Sequence, residues 1–354
     1  MNIYVLDGLN GIIGVVNQFQ SAIWNVKYYD ISDFQMIVPG TPENINLLKE
    51  GRYLVRESDI TGNTYENVMI ISGIDIRYDS DDGYTATVTG KGLKSILSQR
   101  IALTQQNFED KTVGYIITSV VDANFVNPDD SARVFPNFEI TPITASTPSI
   151  DLQAFYSNIG DWLVEICTTY GLGWDVMISG GKYKFFVYKG TDRSENQSIV
   201  PPVVFSPTFD NLLSSEYQKN IEAYKNVAVV VGEEISGTKI IATVGTATGA
   251  ERYEMYVDGS GVSSEQIITV EKYRALLAEY GKKELANLSV SENVSGEIIT
   301  NGVYKIDSDF YLGDVVSVKS ELGYSASTRL TEVLYSEDEN GTQTIGTFSE
   351  WGLT

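Results

Sequence analysis

The chain has 354 residues, 42% of them hydrophobic and 20% charged, a soluble composition long enough for about two to four compact units. It contains no histidine and one cysteine, which excludes serine–histidine catalysis, thiolate metal clusters and an internal disulfide. The formal net charge of -22 argues against a phosphate-binding surface, because such a surface needs Lys and Arg.

The N-terminal segment lacks the basic region and apolar core of a secretory signal, so we expect synthesis in a cytoplasm. No stretch approaches about 18 consecutive apolar residues, and we expect no stable membrane insertion. The single cysteine, Cys167, lies in an apolar context that favours a buried thiol over a nucleophile. Phosphate-loop and calcium-loop patterns are incomplete, so no cofactor and no metal site is predicted.

The first hundred residues are dominated by strand patterns bounded by Gly, Asn, Asp and Pro. A short helix at 41–50 interrupts them, with Thr41 as its N-cap and Pro42 in its first turn. The pattern predicts a small antiparallel β-barrel over residues 1–100. Its predicted strands are Tyr4–Leu6, Ile12–Phe19, Ile23–Tyr28, Phe34–Val38, Arg52–Glu57, Val68–Tyr78 and Tyr84–Thr89.

Residues 101–210 change character and predict an α+β insert. Helical apolar spacing begins after Thr112 and again from Ile159 to Tyr170, where Gly171 ends the second helix. The segment from Trp174 to Lys189 then predicts a β-hairpin. Between the helices, residues 124–150 are rich in Pro, Asn, Asp, Ser and Thr, which indicates a long surface loop.

The remaining chain returns to strands, with a helix predicted from Ser264 to Leu288 and a final hairpin around Asn340–Gly341. In the stretch YKNVAVVVGEE, Gly232 is expected to end a strand, so that Glu233 and Glu234 keep a hairpin end hydrated. At coarse scale the chain reads as a barrel, an insert, and a second barrel-like unit with its own helical insert. This order suggests two related halves.

Paired carboxylates leave one enzymatic alternative open, because glycoside hydrolysis needs only two of them. The candidates are Glu233 with Glu234 and Asp307 with Asp309. Neighbours in a strand point to opposite faces, which weakens both pairs. The 22 tyrosines and 4 tryptophans leave a second alternative, a carbohydrate-binding module for host recognition, although aromatic residues also suit half-buried strands and subunit interfaces.

Several phrases in order resemble the tail-tip hub proteins of long-tailed bacteriophages. The opening SAIWNVKYYDISDFQMIVPG has the spacing W-x-x-x-Y-x-D-x-x-x-F-x-x-x-x-P and precedes a helix and the strand GRYLVRE. The similarity continues through ISGIDIRYDSDDGYTATVTGKGLKSILSQRI, YKNVAVVVGEE, RYEMYVD, ALLAEYGKKELA and DSDFYLGDVVSVKS. It covers nearly the whole chain and is least distinctive over residues 100–205.

The resemblance implies a structural protein of the virion tail, not an enzyme, related to the baseplate hub of T-even phages. Its implied fold is mainly β with α+β inserts, and two small antiparallel β-barrels related by pseudo-symmetry. The second barrel would comprise residues 211–245 and 295–354, and a strand-helix insert would occupy 246–294. Some relatives carry a C-terminal peptidase or glycosidase extension, for which this sequence shows no match.

The resemblance also implies partners. A homotrimer would form a pseudo-sixfold ring around the tail channel and contact a distal tail ring protein, a tape-measure protein and a tip or fibre protein. DNA would be present only in transit, and acidic residues on the channel wall would repel its phosphates. The residues predicted to lie at subunit or partner interfaces are Tyr28, Phe34, Glu233, Glu234, Tyr311 and Trp351.

Overall fold

The computed structural model describes residues 1–81, 83–154, 156–209, 211–220, 222–264, 269–286, 288, 291–298, 303–319 and 325–349. Its first part is built from strands and one short α-helix, close to the predicted bounds except for two short strands between residues 60 and 65 that were not predicted. In chain order these are β1 (Ile3–Leu6), β2 (Ile12–Val16), β3 (Ser21–Lys27), β4 (Asp33–Pro39), α1 (Pro42–Leu47), β5 (Tyr53–Arg56), β6 (Ile60–Thr61), β7 (Thr64–Tyr65), β8 (Met69–Asp79) and β9 (Gly83–Gly92).

Local chemistry explains these elements. The Thr41 side chain accepts a hydrogen bond from the backbone N–H of Asn44 at 3.2 Å, which confirms the predicted start of α1. In β3 and β4 the buried side chains alternate with more exposed ones, as a strand with one face on a core requires. A 3₁₀-helix (Leu93–Gln99) follows β9 and buries Leu93, Ile96 and Leu97.

The structure confirms the two helices and the hairpin that were predicted in the α+β insert, which we call the middle unit. Its elements are β10 (Gln106–Thr112), α2 (Val113–Val121), β11 (Phe138–Ile140), β12 (Ser149–Ala154), α3 (Ile159–Tyr170), β13 (Gly173–Ser179) and β14 (Lys182–Tyr188). Asn158 caps α3 through its side-chain oxygen, and Gly171 ends it in the left-handed region at φ 64.

The predicted long loop at 124–150 is more structured than its composition indicates. A π-helical turn (Asp122–Val126) extends α2, a 3₁₀ turn follows at Ser131–Arg133, and β11 pairs in parallel with β14. The flanking strands β10 and β12 pair with each other and were not predicted. Most of β10 is polar and exposed around the buried Phe108, so its sequence carries no alternating pattern.

The last part contains the remaining strands and the longest helix. These are β15 (Val204–Phe205), β16 (Leu212–Asn220), β17 (Val227–Ile235), β18 (Thr238–Val244), β19 (Glu254–Asp258), α4 (Val270–Ala286), β20 (Ser291–Ile298), β21 (Val315–Lys319), β22 (Ser325–Asp338) and β23 (Gly341–Ser349). Within the described residues α4 is shorter at its start than the predicted Ser264–Leu288.

One large sheet joins both ends of the chain. Its strand order is β16-β20-β23-β22-β3-β4-β9-β8-β5-β1-β2, with β21 also on β22 and β15 on β21. The strands of the first part of the chain join those of the last part through the antiparallel ladder of β22 with β3, in which Val333 lies opposite Val26. Smaller sheets comprise β11-β14-β13-β7-β6 and β10-β12.

The fold is mainly β with helices, as predicted. Within the described ranges, however, no ladder closes this sheet on itself. The first half passes directly into the second through β3 and β22. Two separate closed barrels, and a pseudo-symmetry between them, therefore remain predictions.

The strands β17 and β18 lie in a different sheet from the one predicted. They form a three-stranded sheet with β19, and α4 covers it. Close packing of α4 on β17 explains this grouping. A Cβ atom added at Gly281 of α4 would lie only 2.4 Å from the Val230 side chain, so the glycine lets the helix approach the strand. The prediction that Gly232 ends the strand is also wrong. β17 continues through an irregularity to Ile235, and the chain turns at Ser236 and Gly237.

Among the residues whose burial is described, the buried side chains form four clusters, which follow the first half, the middle unit, the second half and the α4 unit. The middle cluster includes Tyr28 from the end of β3, together with α2, α3 and β13. Cys167 of α3 is fully buried and free, as predicted, and burial raises the pKa of its thiol.

Candidate functional site

One end of the large sheet is β2, which pairs with β1 alone among the described residues. Three apolar side chains on this strand are exposed, Ile12 and Ile13 at 45% and Val15 at 44%. We call Ile12, Ile13 and Val15 the edge surface. An unpaired strand edge with apolar side chains is a common site of protein association.

A second exposed apolar region lies where β8 and β9 extend beyond the core. Ile76, Tyr78 and Tyr84 are 45%, 67% and 60% exposed, and the two tyrosine rings lie 4.9 Å apart between centroids. Arg77 and Asp75 form an exposed ion pair on the same arm. This hairpin arm (residues 75–85) presents aromatic area of the kind enriched at interfaces.

Charged and aromatic residues meet where β22 crosses the first half. Arg56 and Asp59 form a buried ion pair with distances of 2.6 and 2.9 Å, and Asn67 donates to Asp59 at 3.0 Å. The Arg56 guanidinium lies 3.7 Å from the ring centroid of Tyr335, whose hydroxyl donates to Asp307 at 3.1 Å. Burial, followed by the Asp307 charge, raises the pKa of Tyr335. This cluster links the two halves.

A cleft opens between α3 and α4, bounded by β12 and the segment after it. Its volume is about 250 Å³. We call it the helix cleft and define it by Gln153, Tyr156, Trp162, Tyr170, Glu279 and Tyr280. The Tyr170 hydroxyl donates a short hydrogen bond to Glu279, and burial together with this bond raises the pKa of Tyr170. It is a concave site with aromatic walls and a few polar groups, the usual character of a small-molecule site.

The structure separates the members of both candidate catalytic pairs. Glu233 accepts hydrogen bonds from the backbone N–H and the hydroxyl of Ser264, and its own N–H donates to Tyr273, whereas Glu234 is exposed on the strand. Asp307 accepts from Tyr335, and Asp309 accepts from the backbone N–H of Lys305 at 2.8 Å. Neither pair lines the helix cleft.

Two predicted interface residues are buried within the chain. Tyr28 has no exposed surface, and Phe34 is 3% exposed and packs against Trp24 with centroids 5.4 Å apart. Both therefore stabilise the subunit itself and offer no side-chain surface to a partner. Burial raises the pKa of Tyr28.

The other predicted interface residues differ in their exposure. Glu234 is exposed, Tyr311 is 46% exposed, and Glu233 is half-buried against Ser264. Trp351 lies outside the described residues. A role at an interface stays a prediction for these residues.

Neither a metal site nor a spanning helix stands out in what the structure describes. Over those residues, no group of three Cys, Asp or Glu side chains is arranged to hold a metal ion. No helix in the described part of the chain has the length and apolar character needed to cross a bilayer.

Comparison with known proteins identifies the family. The model of the siphovirus ReqiPepy6 Gp37-like protein family matches residues 2–347. The chain belongs to this family. No curated protein matches it significantly.

Solved structures share its fold. A tail protein from Neisseria meningitidis MC58 aligns with a TM-score of 0.62 and 14% identity, over 98% of this chain and 96% of that protein. The 43 kDa tail protein of prophage MuSo2 from Shewanella oneidensis aligns at 0.58 and 13% over 98% of both. Prophage tail protein gp18 from Listeria monocytogenes EGD-e aligns at 0.57 and 11%, over 100% of this chain and 96% of that protein. At these identities the likeness establishes the fold.

Membership in a siphovirus family, together with this fold, confirms the prediction of a phage tail protein located in the virion tail. The sequence motifs indicated the family, but they did not predict which surfaces of the protein are exposed. The residues of the edge surface were predicted only as part of a strand. No sequence pattern predicted the helix cleft, because the residues that line it come from segments far apart in the sequence.

Proposed function

We propose that the protein is a hub subunit of the tail tip. Three copies form a ring around the tail channel, and the ring links the tail tube to the distal proteins. Its partners are a distal tail ring protein, a tape-measure protein and a tip or fibre protein, and DNA passes through the ring only in transit. The role is structural and involves no catalytic turnover.

The observation that carries this proposal is the unpaired, apolar end of the large sheet. A single chain leaves Ile12, Ile13 and Val15 of β2 largely exposed. Burying this edge surface against a neighbouring copy removes the unpaired backbone groups and the apolar area from water. The opposite end, β16, pairs with β20 alone among the described strands.

The two ends of the sheet are different strands, β2 and β16, which favours a head-to-tail contact between copies. Such contacts form a closed ring when the rotation between neighbours closes, and an open filament when it does not. A ring of obligate subunits buries more than about 2,000 Å² per interface. The hairpin arm adds aromatic area that the same ring would cover, whereas the middle unit would lie outside it.

The mass of the protein in solution tests the proposal. Light scattering after size-exclusion chromatography is expected to give three times the mass of one chain. The substitution Val15→Lys places a charge on the edge surface and is expected to shift the mass toward the monomer, because an unpaired lysine is costly to bury in an interface.

Val134→Lys is the matched control, since both valines are 44% exposed and Val134 lies in the middle unit. It is expected to leave the trimer intact. Circular dichroism checks that both variants are folded. A wild-type monomer that stays monomeric when mixed with the distal tail ring protein would contradict the proposal, as would a trimer unaffected by Val15→Lys.

A further inference from the structure

The helix cleft combines aromatic, aliphatic, amide and charged side chains in its lining. Trp162, Ile166 and Leu276 form its buried floor, with 6%, 3% and 7% exposure. Tyr156 stands at its mouth with 71% of its surface exposed. A cavity of about 150 Å³ is enough for a benzene ring, so about 250 Å³ admits a six-membered ring with substituents.

Polar groups are fixed around this space. The Gln153 side-chain oxygen accepts from the Ser263 N–H at 3.0 Å, and its amide nitrogen donates to Asn107 at 2.8 Å and to the Ser263 carbonyl at 3.3 Å, which locks the amide plane. Tyr170 occupies one acceptor position of the Glu279 carboxylate, which has further lone pairs. Lys283 lies in the lining and forms an ion pair with Glu165.

The two charged side chains that line the cleft, Glu279 and Lys283, have opposite signs. An anionic ligand would face Glu279, and a cationic ligand would face Lys283. A wholly apolar ligand would cover the Glu279 carboxylate without supplying hydrogen bonds, which is unfavourable. A neutral ligand with one apolar face and several hydroxyls avoids all three costs.

We propose that the helix cleft binds a neutral pyranose sugar. The C–H face of the ring stacks on the aromatic side chains at the mouth and floor, and its hydroxyls bond to Glu279, Gln153 and Lys283. The sugar can be free or the end of a polysaccharide chain. This binding activity is independent of the oligomeric state proposed above, so either proposal can fail without the other.

The test compares sugars that differ in charge. Binding of glucose, N-acetylglucosamine, glucuronic acid and glucosamine to the full chain is measured by saturation-transfer NMR and titration. At least one neutral sugar is expected to bind saturably, and the two charged analogues are expected to bind about tenfold more weakly or not at all. An oligosaccharide of N-acetylglucosamine distinguishes a free sugar from a chain end, because a longer chain binds more tightly only in the second case.

Two substitutions locate the site. Tyr156→Ala is expected to weaken the binding of the neutral sugar about tenfold, which corresponds to about 1.4 kcal/mol of lost stacking. Tyr256→Ala is the matched control, because Tyr256 is 68% exposed on β19 and does not line the cleft. It is expected to leave the affinity unchanged.

Three results would overturn the proposal. They are the absence of saturable binding by either neutral sugar, equal or tighter binding of a charged analogue, and an affinity that is the same in Tyr156→Ala and wild type. Because Tyr156 is exposed, its substitution is not expected to prevent folding, and the unfolding midpoint of the variant checks this point.

Discussion

The hydroxyl of Tyr28 accepts a hydrogen bond from the backbone N–H of Gly190 at 3.1 Å. This bond connects the end of β3 to the segment that leaves the middle unit. The ring of Tyr28 also occupies the space beside Gly313, where a Cβ would lie 2.2 Å from a ring carbon. One side chain thus holds together three parts of the chain that lie far apart in the sequence.

Removing this hydroxyl is expected to destabilise the protein. In Tyr28→Phe the Gly190 N–H loses its partner, so the free energy of unfolding should fall by about 1–3 kcal/mol. Urea denaturation followed by fluorescence measures the change. The control is Tyr78→Phe, since Tyr78 is 67% exposed and its variant should match wild type. Equal stabilities for Tyr28→Phe and wild type would show that water replaces the hydroxyl at Gly190.

The ion pair of Arg56 and Asp59 is expected to matter more than an equivalent surface pair. Their side chains are 4% and 7% exposed, and Asp59→Asn leaves the guanidinium charge buried beside Tyr335. The expected loss is about 3–5 kcal/mol.

The exposed pair Asp75 and Arg77 provides the control. Its side chains are 57% and 78% exposed, so Asp75→Asn should cost less than about 1 kcal/mol. Both substitutions remove one aspartate charge from an Arg–Asp pair, and the difference between them isolates the effect of burial. Comparable losses in the two variants would mean that water reaches Arg56 in the folded protein.

Because Lys94 is buried, we expect the stability of the protein to depend on pH. Its side chain has no exposed surface and donates to the carbonyls of Lys27 at 2.6 Å and Trp174 at 3.2 Å. Burial lowers its pKa below the ordinary 10.5, although the Asp175 charge acts in the opposite direction. Between the lowered pKa and 10.5 the unfolded chain binds more protons than the folded one, so this group adds stability as pH rises through that window.

The substitution Lys94→Met removes the titration. The difference in unfolding free energy between wild type and Lys94→Met should therefore shift in favour of wild type as pH rises toward 10.5. Denaturation at several pH values measures this difference, and comparing the two proteins cancels the titration of groups that do not interact with Lys94. A constant difference, or one that shifts toward the variant, would contradict the assignment of a lowered pKa to Lys94.

Local elements were predictable from the sequence because their causes are local. The predicted caps Thr41 and Thr112 and the terminator Gly171 lie within a few residues of the backbone groups that they affect. Sheet membership was not predictable in the same way. The valines of β17 give the same apolar pattern whether a barrel or a helix covers them, and only the contact of Val230 with α4 decides between the two.

The candidate sites show the same limit. Tyr28 and Phe34 belong to the phrase that marks the family, and their positions are explained by packing inside the chain. The helix cleft brings Gln153 and Tyr170 against Glu279, which comes from a separate unit more than a hundred residues later. No short spacing records such a contact, so its discovery needed the fold.

The ladder between β3 and β22 has a consequence during synthesis. β3 gains its first neighbour, β4, at once, but its other edge is covered only by a strand near the far end of the chain. Until the ribosome has made β22, Trp24 lacks Tyr335, the residue that faces it across the ladder. A nascent chain with an open apolar edge is prone to aggregate, and contacts between residues that lie this far apart in the sequence form slowly. We therefore expect the N-terminal half of this protein to be most prone to aggregation before β22 has been made.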